Sequence, residues 1–318
     1  NTGGKYREVV GDLADKDKEN RSGVRSNRRG SERGSRAVTE DFGPAVVLMG
    51  WYQLLDSGEG ERLERFGRYV LVRPDPQVIW KRSLPPGEWD RANAIFDGVW
   101  KTRDMPRNWE VEVLGLKIEL RLTPFKHTGV FPEQESQWGW LQERAKGLNV
   151  LNLFGYTGIA SLICAAAGAR VTHVDASRPT ISWARHNQQL SGLLDKPIRW
   201  MVEDATKFVE REARRGNKYD GIIMDPPVFG HGPTGKAWQF NKSLPPLLDG
   251  CKRVLADKPK FVLINAYAVS TSHVTIANVL ADLTAGLGGM VTSGELLINQ
   301  ENSPRVLSTG IWGKWEAS

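Results

Sequence analysis

Beyond Asn149 the chain alternates between short apolar runs and longer stretches of mixed character. Residues 150–154, 170–175, 198–202, 221–225 and 260–265 run for five or six positions each and are rich in Val, Ile, Leu and Phe, as buried strands are. Between and after them, residues 159–167, 179–192, 205–215, 242–256 and 272–286 have helical spacing or an Ala-rich makeup. Strands and helices alternating at this interval predict an α/β fold, a parallel sheet with helices on both faces. The chain's end breaks the rhythm. Residues 294–299 and 305–312 read as two strands joined by a turn at 301–304, too short for a parallel crossover, so they predict an antiparallel hairpin.

The N-terminal part has a different texture. Strand-like runs at 46–52, 69–72 and 78–80 are broken by Gly and Pro, and residues 111–122 alternate around Gly115 as a hairpin would. A helix is expected from about Pro132 to Lys146, with proline in its first turn and Glu133 and Glu135 near its positive end. Three units follow: a basic flexible tail (1–43), a small β-rich domain (44–125) and an α/β domain (126–318).

Composition narrows the function classes. In 318 residues, 40% are hydrophobic and 25% charged, an ordinary soluble balance, and no apolar run reaches the roughly 20 residues needed to span a bilayer. Cys164 and Cys251 are too few for a disulfide framework or a zinc cluster and point to a reducing, cytoplasmic setting. The net charge of +6 is concentrated: Arg21, Arg25, Arg28, Arg29, Arg33 and Arg36 stand among Ser and Gly. Such a stretch lacks the apolar area to order itself; it suits phosphate contacts but equally a solvated tail. An Arg- and Ser-rich start would also suit a transit peptide, but Asp12, Asp15, Asp17 and Glu19 argue against one.

The strand ends carry the candidate chemistry. In a doubly wound sheet, ligands lie at the carboxyl ends of the strands. The first run leads into Phe154-Gly155-Tyr156-Thr157-Gly158, where Gly155 and Gly158 allow positive φ and close ligand approach. The G-x-x-G spacing weakens a pyrophosphate reading. Asp175, 20 residues past Gly155, ends the second run where a carboxylate can accept from both ribose hydroxyls. Asp204 ends the third, placed for an adenine amino group. Each could instead simply cap the helix that follows. Asp225-Pro226-Pro227 ends the fourth with a stiff backbone that lacks two N–H donors and presents carbonyls.

Taken together, Leu151-Asn152-Leu153-Phe154-Gly155-Tyr156-Thr157-Gly158, Val174-Asp175, Glu203-Asp204-Ala205 and Asp225-Pro226-Pro227-Val228-Phe229 resemble the class I methyltransferases that use S-adenosylmethionine (AdoMet). More narrowly, they are similar to bacterial large-subunit ribosomal RNA methyltransferases with an L-N-L-F-x-Y-T-G first loop and a D-P-P-x-F fourth motif. The likeness covers about 126–318 and implies a Rossmann-like, mostly parallel sheet with a C-terminal antiparallel hairpin. It implies that Phe154, Gly155, Tyr156, Thr157 and Gly158 pass around the methionine part of AdoMet. Asp175, with Ala176 and Ser177, would hold the ribose, and Asp204, with Ala205, the adenine. Residues 126–134, including Thr128 and Gln134, are similar to an element that closes over AdoMet, although Glu133 stands where many relatives have Asp and Ser136 where many have Arg.

At the reacting end, Asp225 and the Pro226 carbonyl could orient an exocyclic amine, with Pro227 stiffening the loop and Phe229 stacking on a base. Asp225, Pro226, Pro227 and Phe229 are the candidate catalytic residues, and Asp225 also a cofactor neighbour; no metal site is expected. Cytosine C5 methylation needs a cysteine nucleophile, and both cysteines sit in apolar helical stretches, so a base nitrogen is the better fit. A glycine-rich loop after Phe229 places Lys236 and Trp238 for phosphate and base contacts. RNA, ribosomal RNA in particular, is the expected partner. The alternatives are a protein or small-molecule acceptor, a nicotinamide-dependent oxidoreductase, and a non-catalytic RNA-binding module.

Overall fold

The computed structural model describes residues 50–231, 237–267 and 269–318. The basic tail, the run Val46 to Met49 and Lys236 lie outside the described residues.

The first strands form a five-stranded sheet in the order β1-β2-β3-β4-β5. They are β1 (Tyr52–Gly58), β2 (Glu61–Phe66), β3 (Tyr69–Pro74), β4 (Ala94–Asp97) and β5 (Val99–Thr102), with the short helix α1 (Pro86–Trp89) before β4. All neighbours are antiparallel except β3 and β4. The expected strand at 78–80 is not one. Pro74 and Pro76 bracket a turn closed by Val78 N–H to the Asp75 carbonyl, and the carbonyls of Val78 and Trp80 accept from Gly60 and Glu59. The expected hairpin is present as β6 (Asn108–Val113) and β7 (Leu116–Arg121), turning through Leu114 (φ 49°) and Gly115 (φ 80°), the twist that two-residue hairpins favour.

A short turn of helix (Pro132–Gln134) leads into α2 (Glu135–Arg144) and then the main sheet. Its parallel strands are β8 (Asn149–Leu153), β9 (Arg170–Asp175), β10 (Ile198–Val202), β11 (Gly221–Met224) and β14 (Phe261–Ala266). Between them run α3 (Ile159–Ala166), α4 (Arg178–Leu190), α5 (Ala205–Arg214), the small hairpin β12 (Phe229–His231) and β13 (Ala237–Gln239), and α6 (Phe240–Val254). After α7 (His273–Leu283), β15 (Met290–Asn299) and β16 (Val306–Glu316) close the sheet as an antiparallel hairpin, β16 pairing with β14. The order is β10-β9-β8-β11-β14-β16-β15.

Alternate residues of these strands enter two cores, as a period of two requires. Leu151, Leu153, Ile222, Met224, Val262 and Ile264 pack with α5, α6 and α7. Val150, Ile223, Phe261 and Leu263 pack on the face covered by α2 and α3, in a core that continues through Tyr52, Leu54, Phe66 and Ile118 into the small sheet and hairpin. The far hairpin is tied to the small sheet as well. Glu301 N–H donates to the Leu54 carbonyl at 2.8 Å, and Ser57 Oγ donates to Gln300 Oε1 at 2.6 Å. Among the described residues no helix is long and apolar enough to cross a membrane.

Candidate active site

The strand order reverses between β8 and β11, whose carboxyl ends open a crevice for a ligand. A cavity of about 1010 Å³ lies there. Its wall takes in Phe154, Tyr156, Asp175 and Ala176 from the first two strand ends. Asp204, Ala205, Asp225, Pro226 and Pro227 complete the part the strand ends supply. Thr128, Gln134, Gly155, Thr157, Gly158 and Ser177 are not part of this wall, and Phe229 beside it is 72% exposed.

The loop after β8 turns in a way its glycines do not suggest. The left-handed residues are Phe154 (φ 57°), Tyr156 (φ 50°) and Gly158 (φ 90°), not Gly155. Gly155 is glycine for space: a Cβ there would stand 2.4 Å from the ring of His173 in β9. Side chains in the left-handed region cost of order 1 kcal/mol each, and the fold offsets that cost at two adjoining positions of the cavity wall. The payoff is geometric, because Tyr156 N–H then donates to Asp175 Oδ2 at 3.1 Å.

Asp175 also accepts the Ser177 N–H on Oδ1 at 2.8 Å. Burial outweighs both bonds and raises its pKa above the usual carboxylate value. It does not cap α4; that task falls to Ser177, whose hydroxyl accepts from Thr180 N–H. Asp204 does cap α5, accepting Lys207 N–H at 3.0 Å, while remaining on the cavity wall. A carboxylate offers about four acceptor sites, so one cap bond leaves capacity for a ligand.

Asp225 follows β11 directly. Its Oδ2 accepts from Gln134 Nε2 at 2.8 Å, and the same amide donates to the Tyr267 hydroxyl at 2.8 Å. Removal from water, reinforced by nearby Glu133, pushes the Asp225 carboxyl up to about 7 despite the Gln134 bond. Gln134 therefore reaches the site by steering Asp225. The segment around it is pinned: Thr157 Oγ1 donates to the Gly129 carbonyl at 2.6 Å, and Trp183 packs where a Gly129 Cβ would stand. Phe131 sits between the rings of Tyr156 (5.7 Å) and Tyr267 (5.2 Å). Thr128 is fully buried, its hydroxyl without a partner.

Trp238 departs from expectation. It is buried, donates from Nε1 to the Pro227 carbonyl at 2.6 Å and meets Phe154 edge-on at 4.9 Å. It braces the Asp-Pro-Pro loop while itself lining the cavity.

Beyond the strand ends the cavity continues along Lys126 and His127, from the segment expected to close over AdoMet, and along three side chains that sequence reasoning missed, Arg62, Arg73 and Asp75. Behind them Glu64 is fully buried, held by Arg73 Nε (2.6 Å), Arg73 Nη2 (2.7 Å) and the Tyr52 hydroxyl (2.8 Å). Those cations hold its carboxyl at about 2 against the desolvation that would raise it. Burial, with Arg73 and Lys126 nearby, pushes the His127 imidazole down to about 4, so it is neutral at pH 7. Tyr267 was within reach of the strand-end rule, two residues past Asn265. Arg62 and Arg73 left no signal, because only the folded small sheet brings them here.

Residues 89–261 match the S-adenosylmethionine-dependent methyltransferase family over more than half of the chain, and the protein belongs to that family. The SAM-dependent methyltransferase from Agrobacterium tumefaciens is similar in structure, with a TM-score of 0.83 and 42% identity over 89% of this chain and 96% of that one. Among curated relatives, the ribosomal RNA large subunit methyltransferase K/L of Shewanella frigidimarina is 32% identical over 156 residues, 48% of this chain and 22% of that protein. The protein of the same name from Shewanella sp. strain W3-18-1 is 38% identical over 184 residues, 51% of this chain and 25% of that protein. This chain thus spans a quarter or less of the length of these two relatives. The family sets aside the nicotinamide-dependent oxidoreductase.

Proposed function

We propose that the protein methylates RNA on a base nitrogen, with AdoMet as donor, and works in the cytoplasm. The observation that carries this reading is Asp225, a sheltered carboxyl with one amide partner, on the wall of a cavity that no thiol reaches. Cys164 and Cys251 are fully buried and their thiols are pushed up to about 12, so neither supplies the nucleophile that C5 chemistry needs. RNA as acceptor is supported by the names of the curated relatives.

The donor set fits AdoMet. Asp175 and Asp204 end neighbouring strands on a wall that also holds Phe154 and Tyr156, acceptors and rings suited to a nucleoside. In this reading Asp175 holds the ribose and Asp204 the adenine amino group, with Ala176, Ser177 and Ala205 shaping the same edges. The loop from Phe154 to Gly158 borders the methionine part. The bound cofactor supplies an electrophilic methyl carbon. The chain's own work is to hold an amine in line with it, and positioning alone can contribute several kcal/mol. The Pro226 carbonyl and Asp225 accept from the amine's N–H groups. Asp225, its Oδ2 steadied by Gln134, would take the proton the amine must lose when the methyl–sulfur bond breaks and S-adenosylhomocysteine leaves.

The test is transfer from labelled AdoMet to ribosomal RNA taken from cells lacking the gene, followed by nucleoside mass spectrometry. The expected product is a base carrying the methyl on nitrogen. No transfer to RNA, or a 5-methylpyrimidine product, would sink the reading.

A further inference from the structure

Among the described residues, Phe125 (70%) and Phe229 (72%) are the only exposed rings of Phe, Tyr or Trp. All twelve tryptophans are buried or half-buried. Phe125 lies on the cavity wall, and Phe229 stands between two wall residues, Val228 and Gly230. Burying a phenyl ring stabilises a fold, and Phe125 forgoes most of that gain.

A loose loop does not explain its exposure. Trp100 Nε1 donates to the carbonyls of Thr123 (2.8 Å) and Phe125 (3.0 Å). The Thr123 hydroxyl bridges to the carbonyls of His127 (2.8 Å) and Phe125 (3.1 Å), and Phe125 N–H donates back to it at 3.2 Å. Pro124 fixes one more dihedral. The ring is held outward on a pinned backbone.

We infer that Phe125 is a stacking platform for the acceptor nucleobase, on the wall contributed by the loop after β7. This rests on the RNA reading above and adds the surface that selects an unpaired base. The adjoining residues suit the rest of a nucleotide. Lys126 Nζ spends one of its three donors on the Pro74 carbonyl at 3.1 Å and keeps the others for a phosphate oxygen. The His127 imidazole, on the same wall, can donate and accept at a base edge. A cavity of about 1010 Å³ lies at the top of the range for a single ligand and has room for a base beside the cofactor.

The test compares wild type, Phe125→Ala, Phe125→Trp and, as an exposed apolar control off the wall, Leu194→Ala. Each is assayed for methyl transfer to ribosomal RNA from cells lacking the gene, and for S-adenosylhomocysteine binding by calorimetry. Phe125→Ala should lower kcat/KM for RNA by roughly 5- to 100-fold, the usual worth of one base–aromatic stack. Phe125→Trp should stay within about threefold of wild type, since any flat ring supplies the same face. S-adenosylhomocysteine affinity, melting temperature and the Leu194→Ala rate should not move. Undiminished transfer by Phe125→Ala overturns the inference and spares the RNA reading. A parallel loss of S-adenosylhomocysteine affinity also overturns it, because the ring would then serve the cofactor. If wild type transfers nothing to RNA, both fall together.

Discussion

Glu64 in the small sheet and Asp225 at the end of β11 are both carboxyls withdrawn from bulk water, yet they titrate in opposite directions. Glu64 meets the Arg73 guanidinium, nearby Arg62 and a tyrosine hydroxyl, and is held at about 2. Asp225 meets one amide and is pushed up to about 7. The difference separates a structural charge from a working one. A buried ion ringed by cations and hydrogen bonds fixes a fold and offers little to a ligand. A sheltered carboxyl left short of cations keeps acceptor capacity facing a cavity and a pKa near the working range.

Removing each group breaks or sharpens that contrast. Glu64→Leu strips the buried Arg73 guanidinium of its carboxylate and leaves Arg62 only Asp75, and urea unfolding should show a loss of about 3–5 kcal/mol. Asp225→Asn should cost little stability but reduce methyl transfer about 100-fold, the scale of a lost positioning contact. If the two variants lost stability alike, the contrast would be void. Acid sensitivity should divide the same way. Glu64 contributes stability above its ordinary value of 4.5 and loses it as pH falls toward 2. Asp225 binds its proton more tightly when folded, so its contribution is full below 3.8 and is lost as pH rises through about 7.

Smaller effects refine the picture. Gly155→Ala drives a methyl into the His173 ring and should destabilise by about 1–3 kcal/mol, as overpacking does, measured by thermal melting. Gly158, left-handed instead, should fail through backbone strain as well as a clash with Ala184. The smallest expected change is a shift in a pH profile. kcat/KM should rise with pH through a midpoint near 7 as Asp225 ionises. Gln134→Leu removes a bond that favours the charged form, so the midpoint should move alkaline. A profile flat from pH 6 to 9 in both proteins would show that Asp225 does not titrate in the reaction.

What the sequence revealed follows from where burial obeys a simple period. The central parallel strands β8, β11 and β14 are buried almost throughout, and they, with β9 and β10, were legible as apolar runs, as were the terminal hairpin and the turn at Gly115. β2 was not, because Glu61-Arg62-Leu63-Glu64-Arg65-Phe66 hides Arg62 and Glu64 in an ion cluster and so looks like a surface stretch. β4 and β5 are four residues each, too short to carry a pattern. At the site, strand ends located Asp175, Asp204 and Asp225, which all reach one cavity wall. The loop glycines were found for an incomplete reason: Gly155 answers to His173, a contact invisible before the strands pair. The burial of Trp238 was not legible, because a Gly-rich loop resembles open surface, whereas the β12–β13 hairpin ties its indole to the Pro227 carbonyl on the cavity wall. Phe125 carried no motif at all; only its exposure on a pinned loop sets it apart.

The central claim is that the strand-end carboxylates form a cradle for the AdoMet nucleoside, with Asp175 at its heart. Calorimetric titration of S-adenosylhomocysteine into wild type and Asp175→Ala tests it most directly. The account predicts one site per chain in wild type and affinity about 10- to 100-fold weaker in the variant, the worth of hydrogen bonds to a charged group. Equal affinity in the two proteins, or binding of NADH with none of S-adenosylhomocysteine, would contradict it.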